Sequence, residues 1–225
     1  MNYVQLLSEN HPAVELARRG LRRWLLSHLS ASMTLKLAHI DETEAARAML
    51  SAHLAHVGDN HAVLVKKYQE LCDECPELET LLRALGLGKW DVNYYQFFVA
   101  APFQRGVMHI DGINRHCCIN MALYNGDKGT IQWYESHGFI AAPPRVSHVG
   151  TLGTYPEKFE DRYTDLPPDE EVITEGLQLV KTDIWHRVDN TANDRYRTIF
   201  SIRLIDNPSF ESTLKRLQPH LAKLK

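Results

Sequence analysis

His109-Ile110-Asp111 is the first stretch of this chain whose residue types and spacing could do chemistry. In a β-strand, residues two apart point to the same face, so His109 and Asp111 would converge on one point while Ile110 packs behind them. Taken alone, an HxD tripeptide is most often an ordinary surface pair. A third ligand type stands much further along, at His186, inside the strand-like run Ile184-Trp185-His186-Arg187-Val188. Two histidines and one carboxylate form the facial set that suits non-haem iron(II) and leaves adjacent coordination positions open. Arg197 follows His186 by eleven residues. Around it Arg197, Ile199, Ser201 and Arg203 alternate with Thr198, Phe200, Ile202 and Leu204. If the second set packs against helices, the first points inward and buries a guanidinium, which then requires an anionic partner. A dicarboxylate is such a partner, because the planar fork of arginine takes a carboxylate bidentately.

Those residues need a scaffold that brings distant segments together. Strand character appears at Val92–Ala100, Gly106–Asp111, Cys117–Tyr124, Thr130–Glu135, Leu177–Lys181, Ile184–Val188 and Tyr196–Ile205. Turn dipeptides separate them: Asn125-Gly126, Lys128-Gly129, Asp189-Asn190 and Asn193-Asp194. Residues 1–90 read as helical. Leu16, Leu21, Trp24, Leu25 and Leu29 share one face, Asp41 and Glu44 form a capping box before a second helix to about Leu54, and a third spans Asn60–Leu85. Between Ser136 and Gly176 the prolines and glycines predict a long loop, with Phe139, Ile140, Tyr155, Phe159 and Tyr163 able to close over a site. A short amphipathic helix is expected at the C-terminus. The expected fold is α+β, a single domain over 1–225: helical support over 1–90, a rolled antiparallel core over 91–205 with a lid at 136–176, and a terminal helix over 206–225.

Composition bounds the function. A formal charge of −3 on 225 residues gives no footprint for nucleic acid. No apolar run reaches the length of a membrane span, and the opening residues lack the pattern of a signal peptide. Cys72, Cys75, Cys117 and Cys118 are too few in too long a chain for a disulfide framework, which points to reduced thiols and a cytoplasmic setting. Cys72-x-x-Cys75 has no second pair at zinc-finger spacing and reads as core. His53 with His56, and His137 and His148 in the long segment, read as surface. Arg105, Arg115, His116 and Arg145 flank the expected mouth and hint at an anionic group on the substrate.

The run MHID, followed by TDIWHRVDNTANDRYR, resembles the iron(II)- and 2-oxoglutarate-dependent oxygenases: HxD, a distal histidine, then an arginine about ten residues on. Asn120-Met121-Ala122-Leu123 with Gly129 is similar to the family's central strands, so that the likeness covers about Asn93 to Ile205. The resemblance implies a double-stranded β-helix, with His109, Asp111 and His186 holding iron. Arg197 would then hold the distal carboxylate of 2-oxoglutarate, and Tyr95 and Asn120 would give secondary cofactor contacts. It implies oxidation, with dioxygen as co-substrate, of a C–H bond in a small molecule such as an amino acid or biosynthetic intermediate. Asp111 sets the chain apart from the halogenating branch, which has a small residue there. Many relatives have a serine two residues after the arginine, where this chain has Ile199. A register shift of two would put Arg195 in the place of Arg197. Two other readings remain: a β-barrel hydrolase or isomerase using another divalent metal, and a non-enzymatic jelly-roll binding module. A homo-oligomer is compatible with any of the three.

Overall fold

Val92–Ala100 (β3) and Arg197–Leu204 (β12) pair antiparallel along their length within a six-stranded sheet. The computed structural model describes residues 1–28, 61–88, 90–111, 115–146 and 152–224. Cys117–Tyr124 (β5) flanks β12 on its other side, followed outward by Leu177–Lys181 (β10) and Tyr3–Leu7 (β1). His61–Lys67 (β2) closes the opposite edge beside β3.

A second sheet faces this one in two parts. Thr130–Trp133 (β6) lies between Glu170–Ile173 (β9) and His186–Asp189 (β11), while Leu152–Thr154 (β8) lies between Ile110–Asp111 (β4) and Arg145–Val146 (β7). The two parts meet where His109 and His186 exchange both backbone hydrogen bonds at 2.9 Å. From β3 to β12 the chain winds back and forth between the two sheets, with the β7–β8 hairpin attached outside β4. This is the double-stranded β-helix.

The outer face of the six-stranded sheet is apolar, and helices cover it. Pro12–His28 (α1) and Pro76–Ala84 (α3) pack on each other and on this face; Tyr68–Glu74 (α2) leads into α3, and Phe210–Leu224 (α4) packs beside β10. Pro76 opens α3, where its missing N–H is not needed, with Glu77 and Glu79 in the first turn and Arg83 in the last, favourable for the helix dipole. Phe200 sits at the centre of this layer, its ring 5.2 Å from Tyr95 and 5.0 Å from Phe97, and Trp24 of α1 stacks on Phe97 at 5.3 Å. Truncating an aromatic so placed costs about 3–5 kcal/mol. None of the helices described is long and apolar enough to cross a membrane.

Two expectations are corrected. The region 1–90 is not helical throughout: β1 and β2 are strands. Val63 and Val65 favour extended backbone, and β2 finds a full-length partner in β3, so the helix expected from Asn60 begins only at Tyr68. Nor is Ser136–Gly176 a loop throughout. It contributes β7, β8 and β9, and β9 is an edge strand paired with β6 from Thr130↔Ile173 to Trp133↔Glu170. Its start is tied down where the Ser136 amide and hydroxyl donate to Asp169. The second expected helix, His53, His56 and His148 lie outside the described residues.

Candidate metal and anion site

The reciprocal bonds between His109 and His186 make them a hydrogen-bonded cross-strand pair, whose side chains leave the sheet on one side. Their ring centroids are 4.4 Å apart. Asp111, two residues beyond His109, shares that side, and its Oδ1 lies 3.6 Å from His109 Nε2. One ligand atom from each of the three falls within 4.8 Å of the others, and among the described residues this is the group of side chains so disposed.

Each imidazole is oriented by its own strand. His109 Nδ1 lies 2.8 Å from the Val107 carbonyl and His186 Nδ1 lies 2.8 Å from the Ile184 carbonyl. A carbonyl only accepts, so both Nδ1 atoms carry the proton and both Nε2 lone pairs point at the shared space. Burial, with the like charge of His109, brings His186 down to about 4, so it stays neutral and able to ligate through the physiological range. The Asp111 carboxyl stands below its usual range. Burial opposes its ionisation, but the Arg203 guanidinium and the two histidines outweigh burial. Arg203 Nη1 lies 3.3 Å from Asp111 Oδ2, which leaves Oδ1 on the histidine side.

Arg197 opens β12 opposite Ala100 and is 1% exposed. Among the described residues no carboxylate pairs with it. Its Nη2 donates to Thr174 Oγ1 at 2.6 Å, and its Nε is buried without a partner. Burial alone lowers the guanidinium to about 10. Gly129 makes room for this side chain: a Cβ there would lie 2.4 Å from Arg197 Cδ and 3.0 Å from Nε. Arg195 precedes the strand and is exposed, so the register puts Arg197 inside. The hydroxyl beside the arginine comes from Thr174, just past the end of β9, rather than from position 199. Nothing in the sequence marks Thr174, because its place depends on how the sheets face.

The inner face of the large sheet carries a buried polar row in register: Gln178 beside Asn120, Asn120 beside Ser201, Ser201 beside Gln96. Cys118, in the same column as Asn120, packs with Ile131 and Trp133 of the facing sheet, which identifies this side as the interior. Asn120 therefore lies on the interior face; Tyr95 does not. It points to the helical side, stacks on Phe200, and its hydroxyl lies 3.5 Å from Cys72 Sγ. It is a core aromatic, and Tyr94 and Gln96 occupy the opposite face of β3.

Of the cations expected around the mouth, Arg105 is bound to Asp189 and Asp165, and His116 Nδ1 lies 2.9 Å from Asp183. Arg145 lies over the Tyr155 ring, which stacks in turn on His109 at 6.2 Å. Arg115 lies 5.5 Å over the Tyr94 ring. His137 lies 3.0 Å from the Pro167 carbonyl and has no part in the metal cluster. The four cysteines are buried and form no disulfide.

No protein-family model matches the chain, and no curated protein matches it. Among solved structures it is similar to the non-haem monooxygenase ThoJ, apo form, at 15% identity over 99% of this chain and 95% of that one, with a TM-score of 0.44. It is also similar to CytC3 with Fe(II) and alpha-ketoglutarate, at 13% identity over 91% and 73%, TM-score 0.38. A third is Peruvianin-I, a cysteine peptidase from Thevetia peruviana latex, at 10% identity over 67% of this chain, TM-score 0.34; the chain spans 64% of that protein's length.

Proposed function

We propose that this chain is an iron(II)- and 2-oxoglutarate-dependent oxygenase acting on a small molecule. His109, Asp111 and His186 would hold the metal, and Arg197 with the Thr174 hydroxyl would hold the distal carboxylate of the keto acid. The observation that carries the reading is a buried guanidinium with no counter-ion among the described residues, inside the same barrel as a three-ligand cluster. A buried cation of this kind needs an anion, and a dicarboxylate with one end on the metal supplies it. When bound, iron and 2-oxoglutarate together activate dioxygen for oxidation of a C–H bond.

The protein's own residues bind and orient. The Val107 and Ile184 carbonyls fix both imidazoles, and Arg203 holds one oxygen of Asp111 away from the metal position. Asn120 and Ser201 line the wall along β5 and β12. Tyr155 stacks on His109, and Phe139 packs edge-on against Trp185 at 6.1 Å, so part of the 136–176 segment lies against the wall that carries the triad. A zinc-type hydrolase or isomerase on the same triad would leave Arg197 without a task, and a binding module would need no open metal cluster. Buried thiols outside any disulfide fit a reducing compartment.

The test is anaerobic. Iron(II) should bind the apoprotein tightly, 2-oxoglutarate should bind only after iron, and aerobic incubation with a small-molecule panel should release succinate in a substrate-dependent way. Equal binding of 2-oxoglutarate with and without metal would sink the reading.

A further inference from the structure

Arg203 is a second interior guanidinium on β12, and the proposed function uses only part of it. The residue is 3% exposed. Nη1 takes Asp111 Oδ2, while Nε and Nη2 are buried and have no hydrogen-bond partner among the described residues. Those two nitrogens form one edge of the guanidinium, the edge whose parallel N–H groups donate to a carboxylate bidentately. The contact with Asp111 holds the group against the metal cluster and leaves that edge unpaired beside it.

Arg203 lies six residues beyond Arg197 on the same face, about 20 Å of strand. The two guanidiniums are thus well separated along the inner face, and Arg203 is the one that touches the triad. Across from Arg203 on β3 stands Tyr94, with Arg115 over its ring, so a second cation lies towards the rim on the same side. The charge balance points the same way. A divalent metal and two buried guanidiniums set against Asp111 leave three positive charges in the interior. A bound 2-oxoglutarate neutralises two of them, and one further carboxylate closes the balance.

We propose that the Nε–Nη2 edge of Arg203 is a second carboxylate-binding fork at the metal, with Arg115 at its outer rim. Its occupant is a carboxylate of a bound small molecule. The charge balance assigns it to the substrate; the proximal carboxylate of 2-oxoglutarate is the other source of the same chemistry. The inference rests on the proposed iron and 2-oxoglutarate site and sets the substrate class: a small carboxylic acid.

The experiment uses protein saturated with Mn(II), which occupies such sites without turnover. One arm measures 2-oxoglutarate affinity by calorimetry in the wild type, Arg203→Gln, Arg203→Lys and Arg115→Gln. The other keeps 2-oxoglutarate saturating and follows paramagnetic relaxation of carbon-13 acetate. The expected result is saturable acetate relaxation in the wild type, weakened at least about tenfold in Arg203→Gln, the loss of a charge-assisted pair, and less in Arg115→Gln. Arg203→Lys keeps a cation beside Asp111 and restores metal affinity without restoring acetate affinity, which separates the fork from mere support of Asp111. A tenfold loss of 2-oxoglutarate affinity in Arg203→Gln, with no acetate relaxation in any protein, supports the fork with the keto acid as its occupant. Both affinities unchanged at saturating metal, with only metal affinity or melting temperature altered, would overturn it. Wild-type protein that bound neither Mn(II) nor 2-oxoglutarate would overturn the proposed function itself, a different and separately visible result.

Discussion

Replacing Arg197 by methionine should make the metal-free, ligand-free protein more stable while abolishing 2-oxoglutarate binding. Burial lowers this guanidinium well below its ordinary value, to about 10. At 1.36 kcal/mol for each tenfold change, its charged form is about 3 kcal/mol worse off inside than in water. Among the described residues no carboxylate compensates it, and its one recorded side-chain bond is to Thr174 Oγ1. A hydrogen bond from a charged donor contributes about 1.5–3 kcal/mol, and the freed hydroxyl keeps some of that by turning to another acceptor. Methionine fills the volume of the aliphatic stem and carries no charge. The net expectation is a gain of about 1 kcal/mol, or roughly 2–4 °C in melting temperature for a chain of this size. The ligand response should run the other way. Wild-type protein with metal should gain melting temperature as 2-oxoglutarate is added, by mass action, and Arg197→Met should gain none. Differential scanning fluorimetry of the apo and Mn(II)-loaded forms, with and without the keto acid, reads all four quantities. An apo variant destabilised by more than about 3 kcal/mol would refute the reasoning, because Arg197 would then be a satisfied structural residue.

Other expectations follow from the same geometry. His109→Ala, Asp111→Ala or His186→Ala should abolish tight iron(II) binding in anaerobic titration and leave the far-ultraviolet circular dichroism unchanged; full-affinity binding in His186→Ala would remove that residue from the site. Gly129→Ala puts a methyl group 2.4 Å from Arg197 Cδ, so it should cost about 1–3 kcal/mol of stability and weaken 2-oxoglutarate binding. Exposed Arg195, changed to methionine, should leave that binding as in the wild type. Asp189 lies below its usual 3.8: burial opposes ionisation, and hydrogen bonds from Thr191 together with Arg105 outweigh burial. Its folded value is depressed, so its contribution is present above about pH 4 and is lost as the pH falls below that. Asp189→Asn should melt lower than the wild type at neutral pH and flatten the acid limb of the melting-temperature profile.

The triad and Arg197 were legible because period-two alternation is reliable where polar and apolar residues alternate cleanly, as they do in His109-Ile110-Asp111 and along β12. The face of β3 was not legible. In Val-Asn-Tyr-Tyr-Gln-Phe-Phe-Val-Ala, aromatic pairs at 94–95 and 97–98 put a ring on each side, so no alternation tells Tyr95 from Tyr94. Strands β7 and β8, of two and three residues, are too short to carry a period, and β9, Glu-Glu-Val-Ile, carries paired carboxylates uncommon in strands. β1 and β2 are outer strands whose pairing is set by partners far off in sequence, β10 and β3. The contact of Arg203 with Asp111 joins residues ninety-two positions apart and arises only when the barrel closes.

The joint between His109 and His186 has a mechanical side. Two three-stranded pieces of the smaller sheet meet along one seam, bridged at His109–His186 and again at Arg105–Asp189, with backbone hydrogen bonds crossing between residues 104–109 and 186–190. A metal ion clasped by both imidazoles and Asp111 would act as a rivet through that seam, pinning the β4–β8–β7 flap, and Tyr155 with it, to the rest of the wall. Chelation should then loosen more than a coordination sphere. Amide exchange should quicken along β4 and the flap strands while β12 and β5, braced on both sides, keep their protection. Iron supply would in this way set how firmly the entrance is shut.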